Sequence, residues 1–467
     1  MNLFFKKFKS NCESFPDRIA LSSYDGKNSY SYKTLWELTG KIYNYLSKKK
    51  IDKEDFVLVY MPRSIELYAA LLGIWRAGAA ATIIESDNPI ERLEFIKKDC
   101  NVKFIIDESV WSEILNEETT NDIADSDLHD ACFAIYTSGT TGTPKGVLQE
   151  YGCLENIVKV FINHNIFAPS GQCIKCANIA PANYLAGIQI MTGLMFLAFT
   201  MYVVPMHITK NLPSFLEFID NQKITSAFLP PSFFKIIKKF PPCLKYICSS
   251  GESAEGIYSD QVKILNLYGS SESGSLLSFF PIDKAYSRTP AGYPTSDIKI
   301  SILDEAGNEV PPGVQGEICF PQGYFRGYIN LPELTAKTIQ NGLIHSRDIG
   351  YIDEFGKLFV CGRMDNMIKL HGYRIEPEEI ETQIRQIFNV KNVIAKGFIE
   401  NEKAFIVLYY LNSEARHIFA EKSTSELNKH LEDKLPYYML PAIYSGIDMF
   451  PINQSGKIQR DALKKPL

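Results

Sequence analysis

The sequence predicts an α/β protein built on parallel sheet, and two observations carry that expectation. Short β-branched runs alternate with helix-length stretches through roughly the first 280 residues, and this texture then gives way to short strands separated by turn residues. Phe56-Val57-Leu58-Val59-Tyr60 reads as a strand, and Ser64 to Ala77 as a helix with apolar residues at helical spacing. Ala80 to Ile84 reads as a second strand and Pro89 to Cys100 as a second helix. After about residue 285, Ile298 to Leu303 runs into the turn Asp304-Glu305-Ala306-Gly307, and Gly316 to Phe320 follows, which predicts a more antiparallel region. From Asn366 a smaller unit begins, with a helix over Pro377 to Ile387 and strands near Val393 to Phe398 and Ala404 to Tyr410. The chain shows neither an internal repeat nor a low-complexity linker.

The 467 residues are 45% hydrophobic and 22% charged, an ordinary globular composition with room for two or three domains. A net charge of −5 with no basic stripe argues against a nucleic-acid partner. The ten cysteines are scattered; Cys173 and Cys176 form a lone CxxC pair with no second pair at zinc spacing, which fits buried thiols in a reducing compartment. The N-terminal Met1 to Lys9 has no long apolar core or cleavage site, so no signal peptide is expected and a cytoplasmic location is. Cys176 to Ile208 lacks any Asp, Glu, Lys or Arg, and Leu185 to Val204 reaches bilayer length. Asn183, Gln189, Thr192, Gly193 and Thr200 interrupt that run, so it is read as a buried helix followed by a buried strand and no membrane is expected.

The strongest motif is Tyr136-Thr137-Ser138-Gly139-Thr140-Thr141-Gly142-Thr143-Pro144-Lys145-Gly146, placed directly after the strand-like Ala131 to Tyr136. Glycines let backbone amides approach an anion, while Thr137, Ser138, Thr140, Thr141, Thr143 and Lys145 add donors and charge. The pattern suits a polyphosphate, but no glycine stands directly before Lys145 as a Walker loop requires.

This loop resembles the phosphate loop of the adenylate-forming superfamily, which includes acyl-CoA synthetases, luciferases and the adenylation domains of nonribosomal peptide synthetases. Further segments similar to that family's signatures follow in its order along nearly the whole chain. They are Tyr30 to Leu38, Arg76-Ala77-Gly78-Ala79 through Arg92, Asn266-Leu267-Tyr268-Gly269-Ser270-Ser271-Glu272, and Ser346-Arg347-Asp348. Gly362-Arg363-Met364-Asp365, Gly372-Tyr373-Arg374-Ile375-Glu376 and Pro451 to Lys457 complete the set. The resemblance implies a large N-terminal domain of two αβ-layered subdomains plus a distorted β-barrel over residues 1–364, and a small mobile α+β C-terminal domain over 365–467 hinged at Asp365.

It also implies ATP and Mg²⁺ as cofactors and a set of roles. Thr137, Ser138, Gly139, Thr140, Thr141, Gly142 and Lys145 would hold phosphates, and Tyr268 offers a flat face to the purine. Gly251, Glu252, Asn266 and Gly269 would lie along the nucleotide, Ser271 at the α-phosphate, and Asp348 and Arg363 at the ribose. Glu272 supplies a hard oxygen for Mg²⁺. Lys457 would be the catalytic lysine between the substrate carboxylate and the α-phosphate, and Gly372 would serve thioester formation after the small domain swings.

The substrate pocket implied by position comprises Asn183, Tyr184, Leu185, Phe228, Cys248, Ser250, Leu267, Ser275 and Leu276, with Asn183 and Leu185 competing for the pocket-defining place. Between Glu155 and Glu217 there is no acidic residue, so an α-ammonium would be desolvated without a counter-charge. A neutral aryl or small apolar acid is therefore expected, with atypical amino-acid recognition as the alternative. Glu85 stands where the family often has Asp, and Tyr151 where many members have a His bordering the pocket. Leu435 to Pro441 and Lys369 to Arg374 look like members that load the phosphopantetheine of a carrier protein. No carrier domain follows Lys457, so a separate carrier is expected, with CoA as the alternative acceptor and an inactive binding homologue as a third reading.

Overall fold

The computed structural model describes residues 3–138, 143–164, 166, 174–295, 298–370, 373–400, 403–451 and 458–466. Two compact units separate within it. The first comprises Met1–Asp87, Lys97–Ile135 and Gly146–Met364; the second comprises Asn88–Ile96, Tyr136–Lys145 and Asp365–Leu467.

Among the described residues, a six-stranded sheet runs in the order Phe325–Tyr328, Lys145–Glu150, Ala131–Thr137, Ala80–Glu85, Phe56–Met61, Phe104–Asp107. Its last four strands are parallel. All residues of Ala80–Glu85 and Ala131–Thr137 are buried, as strands covered by helices on both faces must be. The helix Ile65–Arg76 covers one such face; the Ser64 side chain caps it by accepting from the Leu67 N–H at 3.3 Å. Gly73 on this helix is required for close packing, since a Cβ there would lie 2.6 Å from Ile42.

A nine-stranded sheet forms the other half of the first unit's core. Its central strands, Ile19–Ser23, Thr200–Val203, Lys175–Asn178, Ser226–Phe228, Tyr246–Ser249 and Lys263–Tyr268, are parallel, and antiparallel strands close both edges. Phe228 pairs with Cys248 and Ser249 with Asn266, so the carboxyl ends of neighbouring strands lie side by side. Ligands of open α/β sheets bind outside such ends. The antiparallel region after residue 285 is a five-stranded sheet that includes Ser301–Leu303, Gly316–Pro321, Leu343–Ile352 and Leu358–Arg363.

The uncharged stretch from residue 176 to 208 folds as the helix Leu185–Phe196 and the strand Thr200–Val203. A 12-residue helix is far short of the ~20 residues a membrane span needs. No helix among the described residues is long and apolar enough to cross a membrane. An element not anticipated is the N-terminal helix Leu3–Ser14, which buries Phe4, Phe5 and Phe8 in the first unit's core.

The second unit holds the helix Pro377–Phe388 against the three-stranded sheet of Val393–Glu400, Lys403–Leu411 and Ile443–Ile447, beside the hairpin Ile368–Leu370 and Tyr373–Ile375. Pro377 starts the helix where its missing N–H costs nothing, and Asn389, in the left-handed conformation at φ 53°, ends it. Ile380 and Ile384 project from the helix into a core with Val393, Ala395, Ile406 and Leu408.

Candidate functional site

Polar groups gather at the carboxyl end of Lys263–Tyr268. The Tyr268 hydroxyl donates to Asp348 Oδ2 at 2.6 Å, and Arg363 Nη1 donates to Asp348 Oδ1 at 2.6 Å. Asp348 pairs in register with Arg363 across adjacent antiparallel strands, which puts both side chains on one face. Only 3% of Asp348 is exposed, and both carboxylate oxygens are engaged. Burial, followed by the charge of Asp348, pushes the Tyr268 phenol far above its ordinary range, so it stays a donor. The structure thus brings together three residues that lie far apart in sequence.

Glu272, also buried, accepts from the Tyr328 hydroxyl at 2.8 Å through Oε1. Its segment is held by Gln149, whose Nε2 donates to the carbonyls of Ser271 at 2.8 Å and Glu272 at 3.2 Å. Asn266 donates to the Pro290 carbonyl at 2.8 Å, and Glu252 accepts from the Ser232 N–H at 2.9 Å. Gly251 adopts φ +92°, which suits glycine and turns the chain just before Glu252. A Cβ on Gly269 would approach the Ser275 carbonyl to 2.9 Å.

A narrow cavity opens at the same strand ends. Phe228, Cys248, Ser250, Leu267 and Leu276 line it, together with Phe161 and, from the helix Leu185–Phe196, Ala186, Gln189 and Ile190. No lining residue among the described ones is charged. About 20 Å³ of it is open to the centre of a water-sized sphere, room for one or two small groups.

Asn183, Tyr184, Leu185 and Ser275 do not line this cavity. The helix begins at Leu185 with Tyr184 as its N-cap; residues 186, 189 and 190 meet the cavity, while Asn183 and Tyr184 precede the helix. Tyr151 likewise does not border the cavity. It is fully buried in the core, and its hydroxyl lies 3.0 Å from the Trp75 carbonyl and 2.9 Å from that of Ala79. That site needs a long side chain ending in a donor, which explains a tyrosine there.

A buried ion pair missed from sequence fixes the approach to the cavity helix. Arg63 reaches both oxygens of Glu85 at 3.0 to 3.2 Å and donates to the Ile179 carbonyl at 2.8 Å. Glu85 also accepts from the Ala182 N–H at 3.0 Å. The sequence signal was available, since Glu85 ends a buried strand where a lone charge needs a partner.

Within the second unit, the Ser138 hydroxyl donates to the Arg374 carbonyl and accepts from the Glu376 N–H, both at 2.9 Å. Thr137 and Lys145 are buried, and Thr137 Oγ1 has no hydrogen-bond partner among the described residues. Asp365 begins the last segment of this unit. Lys457, Gly372 and Gly139, Thr140, Thr141 and Gly142 lie outside the described residues. The residues flanking the lysine motif are tied down: the Gln459 N–H donates to the Pro451 carbonyl at 2.7 Å, and Arg460 pairs with Glu378 and Glu381.

Glu317, Cys319 and His345 of the antiparallel sheet place their potential ligand atoms within 4.8 Å of one another. Glu317 is already engaged there, accepting from the Arg347 N–H at 2.9 Å and lying 2.8 Å from His345 Nδ1. Burial pushes the Cys319 thiol up to about 12, so the group is a hydrogen-bonded cross-strand cluster.

A family model described as AMP-binding enzyme matches residues 8–329. Surfactin synthase subunit 1 of Bacillus subtilis (strain 168) is 28% identical over 98% of this chain, which spans only 14% of that protein. Tyrocidine synthase 1 of Brevibacillus parabrevis is 26% identical over 98% of this chain and 44% of its own length. Among solved structures, a double mutant of o-succinylbenzoate CoA synthetase from Bacillus subtilis superposes with TM-score 0.83 at 20% identity, covering 98% of both chains. An artificially fused adenylation–PCP di-domain from Klebsiella oxytoca superposes with TM-score 0.81 at 20% identity, covering 95% of this chain and 93% of its own. The fold and the matched span agree: this chain belongs to the AMP-binding enzyme family, and through it to the adenylate-forming superfamily.

Proposed function

We propose that the chain activates a small neutral carboxylic acid with ATP and passes the acyl group to the phosphopantetheine thiol of a separate carrier protein. The substrate carboxylate attacks the α-phosphorus of ATP, the bond to the β-phosphate breaks, and pyrophosphate leaves. The carrier thiolate then attacks the acyl carbonyl, forming a thioester and releasing AMP. The observation that carries the reading is a cavity with no charged residue among its described lining, opening at the same strand ends as the buried Tyr268 and Asp348 and their partner Arg363.

Tyr268 would support the purine, and Asp348, oriented by Tyr268 and Arg363, would accept from the ribose hydroxyls. Glu272, a buried carboxylate with its backbone fixed by Gln149, fits Mg²⁺ because that ion takes oxygen ligands. The ion would neutralise phosphate charge. Lys145 and Lys457 would offset the rest of that charge, and Thr137 and Ser138 would donate to phosphate oxygens. In such a role Ser138 has to leave its contacts with residues 374 and 376. A neutral acid is supported by the lining, since burying an ammonium there without a counter-charge is strongly unfavourable.

The test is ATP–pyrophosphate exchange over a panel of short aliphatic, aryl and amino acids, followed by thiol competition between carrier proteins and CoA. Exchange with neutral acids and preference for a carrier are expected. Exchange confined to ordinary α-amino acids would overturn the substrate reading, and CoA outcompeting every carrier would overturn the acceptor.

A further inference from the structure

Among the described lining residues Gln189 is the one carboxamide, set in the middle of a helix whose other faces pack against apolar core. It is 6% exposed, and its Nε2 has no hydrogen-bond partner among the described residues. A buried amide left unpaired is unfavourable, because it gives up its hydrogen bonds to water and gains none in return. The neighbours leave it so: Ala186 and Ile190 share its helix face, Phe161, Phe228, Leu267 and Leu276 are hydrocarbon, and Ser250, though polar, makes no hydrogen bond to Nε2. Cys248 is already committed, its thiol donating to the Ile166 carbonyl at 3.2 Å.

We infer that Gln189 recognises the side chain of the acid. The substrate class is then a neutral carboxylic acid bearing one hydrogen-bonding group remote from the carboxylate: a hydroxyl, a carbonyl, an amide or a ring nitrogen. This deepens the proposed adenylation and rests on it. A half-turn of the carboxamide about its last bond exchanges donor for acceptor, so the residue serves either kind of partner. It carries no charge, however, and cannot offset an ammonium, and no carboxylate stands among the described lining residues. A purely hydrocarbon acid would leave the amide as unpaired as it stands now. Sites built around a buried polar group discriminate most strongly against analogues that lack its partner.

The experiment is pyrophosphate exchange with acids matched in shape but differing by one polar group, such as benzoate against the hydroxybenzoates and picolinate, and butyrate against 3-hydroxybutyrate. The wild-type enzyme is expected to favour one polar member by at least about 10-fold in kcat/KM over its hydrocarbon match. Gln189→Met, close in volume, is expected to collapse that ratio toward one, with the KM for ATP reporting that the variant is folded. Should the variant fail to fold, the wild-type ratios decide alone. Equal or better use of the hydrocarbon acids, which a trapped water on Gln189 would allow, overturns the inference. So does a Gln189→Met enzyme that keeps the wild-type ratio. Either result leaves adenylation standing, because exchange is still observed; absence of exchange with every acid removes the adenylation reading and this inference with it.

Discussion

Asp348 and Gln189 are both polar and nearly sealed from solvent, yet their surroundings treat them in opposite ways. Asp348 has both carboxylate oxygens taken, by Tyr268 and Arg363, whereas the Nε2 of Gln189 has no partner among the described residues. The difference separates two tasks. A carboxylate held between two donors is oriented before any ligand arrives, which suits a nucleotide that is the same in every turnover. An unpaired amide in an apolar wall is completed by its ligand, which suits the group that distinguishes one acid from another.

The comparison breaks first at the chemistry. Lys457→Ala is expected to lower pyrophosphate exchange by at least about 1,000-fold while ATP binding, followed by calorimetry, stays largely intact. Near-normal exchange in that variant would remove the lysine from the reaction. Next in size is Arg63→Met, which leaves Glu85 charged and buried; urea unfolding should show a loss of about 3–5 kcal/mol. Replacing both residues, Arg63→Met with Glu85→Leu, should recover part of that loss.

Asp348→Asn keeps an acceptor for Tyr268 but removes the charge facing Arg363. It should raise the KM for ATP roughly 10-fold, a loss of about 1.4 kcal/mol, without reordering the acids. A changed acid ranking would show that the two sides are not separable. The smallest effect is expected from Tyr151→Phe, about 1 kcal/mol of stability measured by thermal unfolding, with acid preference unchanged. A shifted preference would return residue 151 to the cavity wall.

The fold was legible where burial writes a pattern into sequence. Phe56 to Tyr60 and Ala80 to Ile84 are continuous apolar runs because both faces of those strands are covered, and the observed strands extend each by a single residue. Ile298 to Leu303 was less legible. Of that run, Ser301–Leu303 alone is strand, since alternation shows which residues can pair and not where a neighbouring strand stops. The helix Leu3–Ser14 was hidden because its lysines resemble a solvated tail while Phe4, Phe5 and Phe8 share one face.

For the site, local motifs named Tyr268, Asp348 and Arg363 separately, and their joining depends on strand register that no motif carries. From the strands, Phe228, Cys248, Ser250, Leu267 and Leu276, named together by position, line one cavity. On the helical side, a position count fixes neither the helix start nor its rotation about the axis, and it is Ala186, Gln189 and Ile190 that face the cavity. In the sequence Gln189 stands out only as an interruption of an apolar run.

The Arg63–Glu85 bridge has a consequence for how such a protein can be retuned. Because it clamps residues 179 and 182, the backbone entering the cavity helix behaves as a fixed mount. Under the proposed function, new substrates would be admitted by exchanging the fittings at positions 186, 189 and 190 instead of re-aiming the main chain. Selectivity becomes modular, and diversification can proceed one side chain at a time without disturbing the frame that holds them.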